Sequence, residues 1–300
     1  MKSPQNLRDS AITAHVLTES LPYIQQFSGK TLVIKYGGST MTTPELRDAF
    51  ISDIVLMRCV GMRPVVVHGG GPEISGMMER LGKEATFVDG LRVTDEETVD
   101  IVQMVLKGRI LQRIVASINL AGGRAVGLSG KDGRLFVARK VRSQANSENG
   151  TEVDIGFVGE VDRVNPEILE VLDEKGFIPV ISPLGMGDDG MTYNVNADTV
   201  AGAIAGALRA TKLLMMTDTP GLLRDREDPS SLISSVTLDD LRALRNRGIV
   251  AGGMIPKIES CEAAIRAGVE KAHIIDGRIP HALLLEVFTA QGVGTEITRG

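Results

Sequence analysis

The sequence predicts an α/β protein built on a mainly parallel central sheet, with an N-terminal amphipathic helical arm. Short apolar runs rich in β-branched residues, such as Val65–Val67, are typical of strands covered on both faces. Each such run is followed by a turn and then by apolar residues at helical spacing. The helical segments between successive strands leave room for the right-handed crossovers that parallel strands need.

Composition narrows the possible function classes. The chain has 300 residues and a net charge of −5, which argues against a general nucleic-acid-binding surface. No stretch is apolar and long enough to span a membrane, and no signal peptide is evident. The two cysteines and four histidines show no metal-ligand spacing, so no metal site is predicted. We expect a cytoplasmic protein that binds neither nucleic acid nor membranes.

The arm covers residues 5–27. Its apolar residues fall near one helical face, and Pro22 is expected to kink or break the helix. The arm precedes the first core strand, so it has no obvious partner within the domain. The sequence leaves two possibilities open: the arm docks on its own domain, or it packs on another subunit.

The first predicted strand, residues 31–36, carries Lys35 at its C-terminal end and is followed by Gly37 and Gly38. Ligands bind at this edge of open α/β sheets, and a lysine in an apolar strand calls for a charged partner.

After a helix at 44–59 comes a second strand, which ends in His68. A structural role is expected for His68. Three glycines, Gly69–Gly71, then open a helix. These glycines allow positive φ and the close approach of a ligand, and we expect the helix N-terminus to favour an anion.

Arg92 lies just before a helical region at 95–121, for which Thr94 and Glu97 suggest a capping box. Arginine suits bidentate recognition of a carboxylate, although a surface salt bridge is the simpler reading of a single arginine. Residues 133–164 indicate a β excursion with a polar tip at 143–151. We expect this excursion to form a lid or wall over a site.

Gly185, Gly187 and Gly190 match a dinucleotide-binding fingerprint, which would indicate an oxidoreductase. The context argues against it, because Asp188 and Asp189 would face the pyrophosphate and no helix opens at Gly190. A hairpin turn between residues 187 and 194 is the favoured interpretation.

Polar residues gather at the strand ends of the second half. Asn194 and Asn196 precede a helix in which Asp198 occupies the first turn, and Asn196 is a good N-cap. The strand at 212–217 leads into Asp218. Lys257 follows two glycines in the first turn of a later helix, where it opposes the helix dipole; this placement hints at a bound anion. A strand at 271–275 and a helix at 280–289 complete the pattern.

Together these residues supply two lysines, one arginine, one acid and many backbone N–H donors, without an evident nucleophile or base. This set fits phosphoryl transfer, in which the protein mainly positions reactants and neutralises charge. An acceptor that is already ionised, such as a carboxylate, needs no general base.

Six motifs resemble the amino acid kinase superfamily and, in this order, the N-acetylglutamate kinases within it. The motifs are KYGGS at 35–39, HGGGP at 68–72, GLRVT at 90–94, NVNAD at 194–198, TDTPG at 217–221 and GGMIPK at 252–257. The resemblance implies an open α/β/α sandwich. It also implies an arm at 1–27, an amino-acid-substrate lobe at 28–183 and a nucleotide-binding lobe at 184–300, joined by one continuous sheet.

The implied activity is ATP-dependent phosphorylation of the side-chain carboxylate of N-acetyl-L-glutamate, giving an acyl phosphate in arginine biosynthesis. Mg²⁺ would be held mainly by the nucleotide phosphates. The resemblance assigns catalysis to Lys35, Lys257 and Asp198. It assigns the acceptor substrate to Gly70, Gly71, Arg92, Asn194 and Asn196. It assigns the nucleotide to Gly37, Gly38, Thr217, Asp218, Gly221 and Leu222.

The arm resembles that of arginine-inhibited members, in which such a helix joins dimers into a hexamer. The resemblance therefore implies L-arginine as a feedback inhibitor, bound near Lys212, His273, Glu286, Gly292 and Gly294. Within the superfamily, aspartate, glutamate, carbamate and uridylate kinases are alternatives, and GLRVT with NVNAD favours N-acetylglutamate. A non-catalytic amino-acid sensor is a further alternative, although both lysines are present.

Overall fold

The computed structural model describes residues 4–38, 43–141 and 154–300. The α-helices within these ranges are α1 (Pro4–Phe27), α2 (Pro44–Cys59), α3 (Gly71–Arg80), α4 (Glu96–Gln103), α5 (Gln112–Leu120), α6 (Glu167–Glu174), α7 (Ala197–Ala207), α8 (Leu238–Asn246), α9 (Met254–Arg266) and α10 (Ala282–Phe288). A π-helix, Met104–Leu111, joins α4 to α5. The predicted polar tip at 143–151 lies outside the described residues.

The strands of the described ranges form one large sheet and two small ones. They are β1 (Thr31–Tyr36), β2 (Arg63–His68), β3 (Phe87–Val88), β4 (Leu91–Arg92), β5 (Ala125–Ser129), β6 (Phe136–Lys140), β7 (Val158–Val164), β8 (Ile178–Ser182), β9 (Leu184–Met186), β10 (Thr192–Val195), β11 (Lys212–Thr217), β12 (Ser235–Thr237), β13 (Lys271–Asp276) and β14 (Thr295–Thr298).

The large sheet has eight strands in the order β12-β14-β13-β11-β1-β2-β8-β5. Neighbouring strands run parallel except β13 and β14, which are antiparallel. β1 and β11 are hydrogen-bonded neighbours, so strands from the two halves of the chain share one sheet. The mainly parallel sheet is confirmed. The sequence did not predict β12 or the antiparallel return of β14.

Helices cover both faces of this sheet, and alternation along the strands sorts side chains between two cores. Leu32, Ile34 and Tyr36 of β1 enter the core shared with α2, the π-helix and α10. Val33 enters the opposite core, which contains α7 and α9. Because side chains of a strand alternate with period two, Lys35 lies on the same face as Val33, facing α7.

Two small sheets flank the C-terminal edge of the large one. β10, β7, β6 and β9 close into a four-stranded barrel, and β3 pairs antiparallel with β4. Asp89 and Gly90, both at positive φ, form the tight turn between β3 and β4. The β excursion of the sequence analysis therefore becomes part of a barrel, and Val158 of β7 lines a cavity at this edge.

The arm is one helix that continues through Pro22, so the helix is not broken there; a kink at Pro22 stays a prediction. Its C-terminal end packs on the domain, where Phe27 is buried and Tyr23 contacts the core. Farther out, the helix exposes the apolar side chains of Ile12, Val16 and Leu17. The described contacts of the arm with the domain thus lie at its C-terminal end, residues 23–27, which we call the arm root. Most of the apolar surface of the arm faces away from its own domain.

One local prediction, the capping box at Thr94, is wrong. The N-cap of α4 is Asp95, which accepts a hydrogen bond from Thr98 N, and not Thr94. Thr94 instead donates to the Arg92 carbonyl. None of Gly69–Gly71 adopts the left-handed backbone region that a glycine allows; Gly70, at φ 171°, is extended. Gly70 is required for space, since a Cβ there would lie 2.5 Å from Ile110 Cδ1.

Candidate active site

Three charged side chains meet at the C-terminal edge of the sheet. Lys35 Nζ lies 3.0 Å from Asp198 Oδ1, and Lys257 Nζ donates to Asp198 Oδ2 over 2.8 Å. Lys35 and Asp198 are buried, at 8% and 5% exposure. One carboxylate therefore holds two ammonium groups side by side, and the three residues to which the resemblance assigns catalysis lie together.

Close packing of α7 on α9 brings Asp198 and Lys257 together. Both residues lie in the first turn of their helices. Asn196 caps α7, accepting a hydrogen bond from Asp198 N over 2.7 Å. Gly202 permits the close approach, because a Cβ there would lie 2.8 Å from the Ser260 carbonyl oxygen of α9.

The electrostatics keep Asp198 ionised. Burial raises the pKa of this carboxyl, but Lys35 and Lys257 more than offset burial, and the net pKa lies below the ordinary value. The pKa of Lys35 is lowered, first by burial and then by Lys257, while Asp198 opposes the change. The trio carries an excess of one positive charge, which suits an anion between the two lysines.

Two cavities meet at Lys35. The first, the Lys257 cavity, has a volume of about 490 Å³. The residues predicted to contact a nucleotide all line it: Gly37, Gly38, Thr217, Asp218, Gly221 and Leu222. Gly221, at φ 146°, also supplies space, since a Cβ there would lie 2.7 Å from Thr295 Oγ1.

The second, the Arg92 cavity, has a volume of about 250 Å³. Among the described residues, Lys35 and Gly38 are the two that line both cavities. It contains all the residues predicted to contact the acceptor substrate: Gly70, Gly71, Arg92, Asn194 and Asn196. Asp198 also lines it. The trio of Lys35, Asp198 and Lys257 thus lies where the two cavities join.

Arg92 is buried without a carboxylate partner among the described residues. Its guanidinium donates to the Gly71 carbonyl over 3.0 Å and to Ser75 Oγ over 2.8 Å, and it contacts Met78 Sδ at 3.2 Å. Burial lowers its pKa. A buried cation with only neutral partners is costly unless an anion completes the site. The surface salt bridge considered for Arg92 is therefore ruled out for the described residues.

The two asparagines have different environments. Asn194 Nδ2 lies 3.5 Å from Thr94 Oγ1, so its amide has only a weak protein partner and is available to a ligand. The Asn196 oxygen is engaged in capping α7. Gly71 has open space where a Cβ would lie, whereas Gly70 packs against the π-helix.

His68 is fully buried at the end of β2. Its Nδ1–H donates to the Gly69 carbonyl over 2.9 Å, and burial lowers its pKa to about 4. The ring is therefore neutral near pH 7 and ties the strand end to the glycine turn. This arrangement agrees with the structural role expected for it.

The glycine fingerprint at 185–190 forms a hairpin. Gly187 N donates to the Met191 carbonyl, and β9 pairs antiparallel with β10. No helix follows Gly190 within the hairpin. The hairpin predicted here is confirmed, and the helix that a dinucleotide-binding fingerprint opens does not follow Gly190 in this described segment.

A third cavity, the Glu286 cavity, has a volume of about 380 Å³ and lies between the arm root and β13. It is lined by all five residues of the predicted arginine site: Lys212, His273, Glu286, Gly292 and Gly294. Tyr23 and Gln26 of the arm complete one wall. His273 Nδ1 lies 2.6 Å from Glu286 Oε1, and Lys212 Nζ lies 3.2 Å from His273 Nε2.

The described part of the chain shows no group of three or more His, Cys, Asp or Glu side chains that could hold a metal ion. None of its helices is long and apolar enough to cross a membrane. Of the two free cysteines, Cys261 is buried in α9 and Cys59 is exposed at the end of α2.

Comparison with known proteins assigns the family. Residues 30–276 match the amino acid kinase family, which is most of the chain. The chain belongs to the amino acid kinase family. Two relatives are acetylglutamate kinases. One, from Heliobacterium modesticaldum, is 54% identical over 288 residues, which cover 95% of this chain and 98% of the relative. The other, from Desulforamulus reducens, is 56% identical over 284 residues, covering 95% and 96%.

Solved structures agree with an amino acid kinase fold. N-acetylglutamate synthase from Neisseria gonorrhoeae, complexed with coenzyme A and N-acetyl-glutamate, matches with a TM-score of 0.82 and 27% identity. The match covers 96% of this chain but 63% of the synthase chain, so this chain spans less than two thirds of it. The same synthase complexed with coenzyme A and L-arginine matches with a TM-score of 0.78, 25% identity and coverage of 96% and 65%.

Several residues of this amino acid kinase site were not predicted from the sequence. Ser75 and Thr94 contact Arg92 and Asn194, Phe87 lies against Arg92, and Arg226 lines the Lys257 cavity. Two features of the sequence could have indicated these residues. Ser75 lies in the helix that follows the glycine turn, and Phe87 lies across the tight Asp89-Gly90 turn from Arg92. Neither residue type identifies a site without the folded geometry.

Proposed function

We propose that the chain is an acetylglutamate kinase, which transfers the γ-phosphoryl group of ATP to the side-chain carboxylate of N-acetyl-L-glutamate in arginine biosynthesis. The observation that carries the proposal is the position of Asp198 between Lys35 and Lys257, at the junction of the two cavities. The names of relatives that are 54–56% identical over nearly the whole chain support the same substrate.

In the proposed reaction the nucleotide occupies the Lys257 cavity and the acceptor occupies the Arg92 cavity. The acceptor carboxylate attacks the γ-phosphorus, the bond to the β,γ-bridging oxygen breaks, and ADP leaves. Lys35 and Lys257 neutralise charge on the transferred group, and Asp198 fixes both ammonium positions. No base is needed, because the attacking carboxylate is ionised at neutral pH.

Arg92 is proposed to bind the α-carboxylate of the acceptor. A guanidinium with only neutral protein partners and no competing carboxylate among the described residues supports this role. Asn194 and the backbone N–H groups of Gly70 and Gly71 would hold the rest of the acceptor. Asn196 would act mainly through its cap of α7, since its oxygen accepts from Asp198 N.

Mg²⁺ is proposed to enter as part of MgATP, held mainly by phosphate oxygens. In nucleotide sites Mg²⁺ is usually held by substrate phosphates, water and one or two carboxylates, so a dedicated cluster of acidic side chains is not required. The two free thiols agree with a reducing cytoplasm as the location.

L-Arginine is proposed as a feedback inhibitor that binds in the Glu286 cavity. Glu286 offers a buried carboxylate for a guanidinium or an α-ammonium, and Lys212 offers a cation for a carboxylate. The synthase structure solved with L-arginine supports a ligand of this kind on a related fold. A homodimer extended to a hexamer through the arm agrees with the exposed apolar side chains of α1.

ATP consumption measured with N-acetylglutamate, glutamate, aspartate and UMP, each with and without arginine, tests the proposal. We expect turnover with N-acetylglutamate alone, an acyl phosphate that hydroxylamine traps as a hydroxamate, and inhibition by arginine. Preferred turnover of another acceptor would overturn the substrate. Turnover of N-acetylglutamate that is insensitive to arginine would overturn only the regulatory part.

A further inference from the structure

Phe87 lies directly against the guanidinium of Arg92. The two residues are cross-strand partners in the pair β3–β4, and Arg92 Cζ is 4.7 Å from the centroid of the Phe87 ring. Cross-strand partners project on the same side of a two-stranded sheet, so this contact is set by the register. The Asp89-Gly90 turn, at φ 51° and 77°, fixes that register.

The ring supplies a favourable contact that the other partners of Arg92 do not. Gly71, Ser75 and Met78 each contact the guanidinium through a single neutral atom. The face of an aromatic ring attracts a cation and also provides a flat surface on which the guanidinium plane can rest. The remaining N–H donors are then held in one orientation for a carboxylate in the cavity.

Phe87 is also placed where it affects the ligand site. Its side chain lines the Arg92 cavity and is 51% exposed, which is unusual for a phenylalanine in a protein that buries most of its large apolar side chains. A core role does not account for this exposure. A role at the rim of the Arg92 cavity does.

We infer that Phe87 is a positioning residue for Arg92 and that it contributes to the selection of acceptors with a carboxylate beside Arg92. The inference rests on the proposed function, because it requires that the acceptor occupy the Arg92 cavity. Phe87 acts through the orientation of the guanidinium and has no part in the phosphoryl-transfer step.

The test compares Phe87→Leu, Phe87→Met and Phe87→Tyr with the wild-type protein. Two acceptors are used: N-acetylglutamate and its α-carboxamide analogue, which keeps the side-chain carboxylate. Phe177→Leu is the matched control. The centroid of the Phe177 ring lies 4.2 Å from Arg124 Cζ in a similar contact, and neither residue lines the Lys257 or the Arg92 cavity. Thermal midpoints establish that each variant is folded.

We expect Phe87→Leu and Phe87→Met to raise KM for N-acetylglutamate by about two- to fivefold, with kcat and KM for ATP unchanged. KM for the α-carboxamide should not rise, so discrimination between the acceptors falls by the same factor. Phe87→Tyr should retain wild-type values, and Phe177→Leu should change nothing.

Three results would overturn the inference: wild-type KM in Phe87→Leu and Phe87→Met, equal rises in KM for both acceptors, or an effect confined to kcat. Equal rises would mean that the ring is only a wall of the cavity. Failure of the wild-type protein to phosphorylate N-acetylglutamate would instead overturn the proposed function, and the inference with it.

Discussion

Asp198 is the residue on which the arrangement of both lysines depends. Its two oxygens are shared between Lys35 and Lys257, and burial of Lys35 and Asp198 reduces the screening of their charges by water. Loss of the carboxylate would leave the buried ammonium group of Lys35 and the half-buried ammonium group of Lys257 facing each other. The position of each cation is therefore a property of the trio and not of a single lysine.

Replacement of Lys35 or Lys257 by alanine should lower kcat by about 10²–10³, or roughly 2.7–4 kcal/mol, if each acts as a preorganised charge-stabilising donor. Steady-state kinetics with N-acetylglutamate and ATP measure the effect. Lys175→Ala, an exposed lysine outside both cavities, is the control. Near-wild-type turnover in either variant would remove that lysine from the mechanism.

Replacement of Arg92 by alanine should mainly raise KM for the acceptor, because the lost contact is present both before and during phosphoryl transfer. KM for ATP should stay near its wild-type value. Initial-rate kinetics with each substrate varied in turn separate the two constants. A changed KM for ATP with an unchanged KM for the acceptor would contradict the assignment of Arg92 to the acceptor.

At the scale of elements, the packing of α7 on α9 determines whether the trio can form. Gly202 lets the helices approach, so its substitution tests this packing. Gly202→Ala should lower the free energy of unfolding by about 1–3 kcal/mol, since the added methyl group meets a backbone oxygen. Urea unfolding measures the change.

Gly76→Ala is the matched control for that packing test. Gly76 is also a helical glycine, but a Cβ there meets nothing within 4 Å, and alanine is favoured over glycine in a helix. The control should be neutral or stabilising. Equal stability of Gly202→Ala and the wild-type protein would contradict close packing at this contact.

A second contact between elements joins α2 to α10. His281, at φ 59°, is the N-cap residue of α10, and its Nδ1 lies 2.6 Å from Oδ1 of the buried Asp53. Burial raises the pKa of Asp53 from 3.8 to about 6, although His281 acts in the opposite direction. The folded chain therefore binds this proton more tightly than the unfolded chain.

The contribution of Asp53 to the free energy of unfolding should be largest below about pH 4 and should decrease as pH rises towards 6. Asp53→Asn removes this contribution. Between pH 4 and 6 the free energy of unfolding of the variant should therefore fall less, or rise more, than that of the wild-type protein. Urea unfolding at several pH values measures the slope, with the exposed Asp48→Asn of the same helix as control. Identical slopes in wild type and Asp53→Asn would contradict the linkage.

For the whole molecule, the sheet and the arm place three cavities in fixed relation. β11 and β1 are neighbours, so the Lys257 and Arg92 cavities meet at one edge. The Glu286 cavity lies between β13 and the root of the arm, and shares no lining residue with them. A ligand in the Glu286 cavity would therefore contact the arm while leaving both substrate cavities open.

Deletion of residues 1–26 should leave activity but abolish hexamers and weaken inhibition by arginine. The truncation removes the exposed apolar part of α1 together with Tyr23 and Gln26, which line the Glu286 cavity, but keeps the buried Phe27. Analytical ultracentrifugation and arginine inhibition curves measure the two effects. A hexamer that survives truncation, or a truncated dimer with full arginine sensitivity, would contradict this role of the arm.

The sequence by itself determined the class of fold and most residues of the candidate site. Strand and helix periodicity correctly predicted α2 and β1. The glycine-rich turns beside Lys35 and Lys257 indicated that both lysines lie at ligand-binding positions. These features are local, because each depends on a short run of residues. The motifs that resemble amino acid kinases added the roles proposed for them.

Other features depend on residues that are distant in the chain, and only the tertiary structure decided them. The space needed at Gly70 is set by Ile110 of the π-helix. Spacing in the sequence cannot reveal such contacts, because they form only when separate elements pack together, and the same packing brings Lys35, Asp198 and Lys257 into one site.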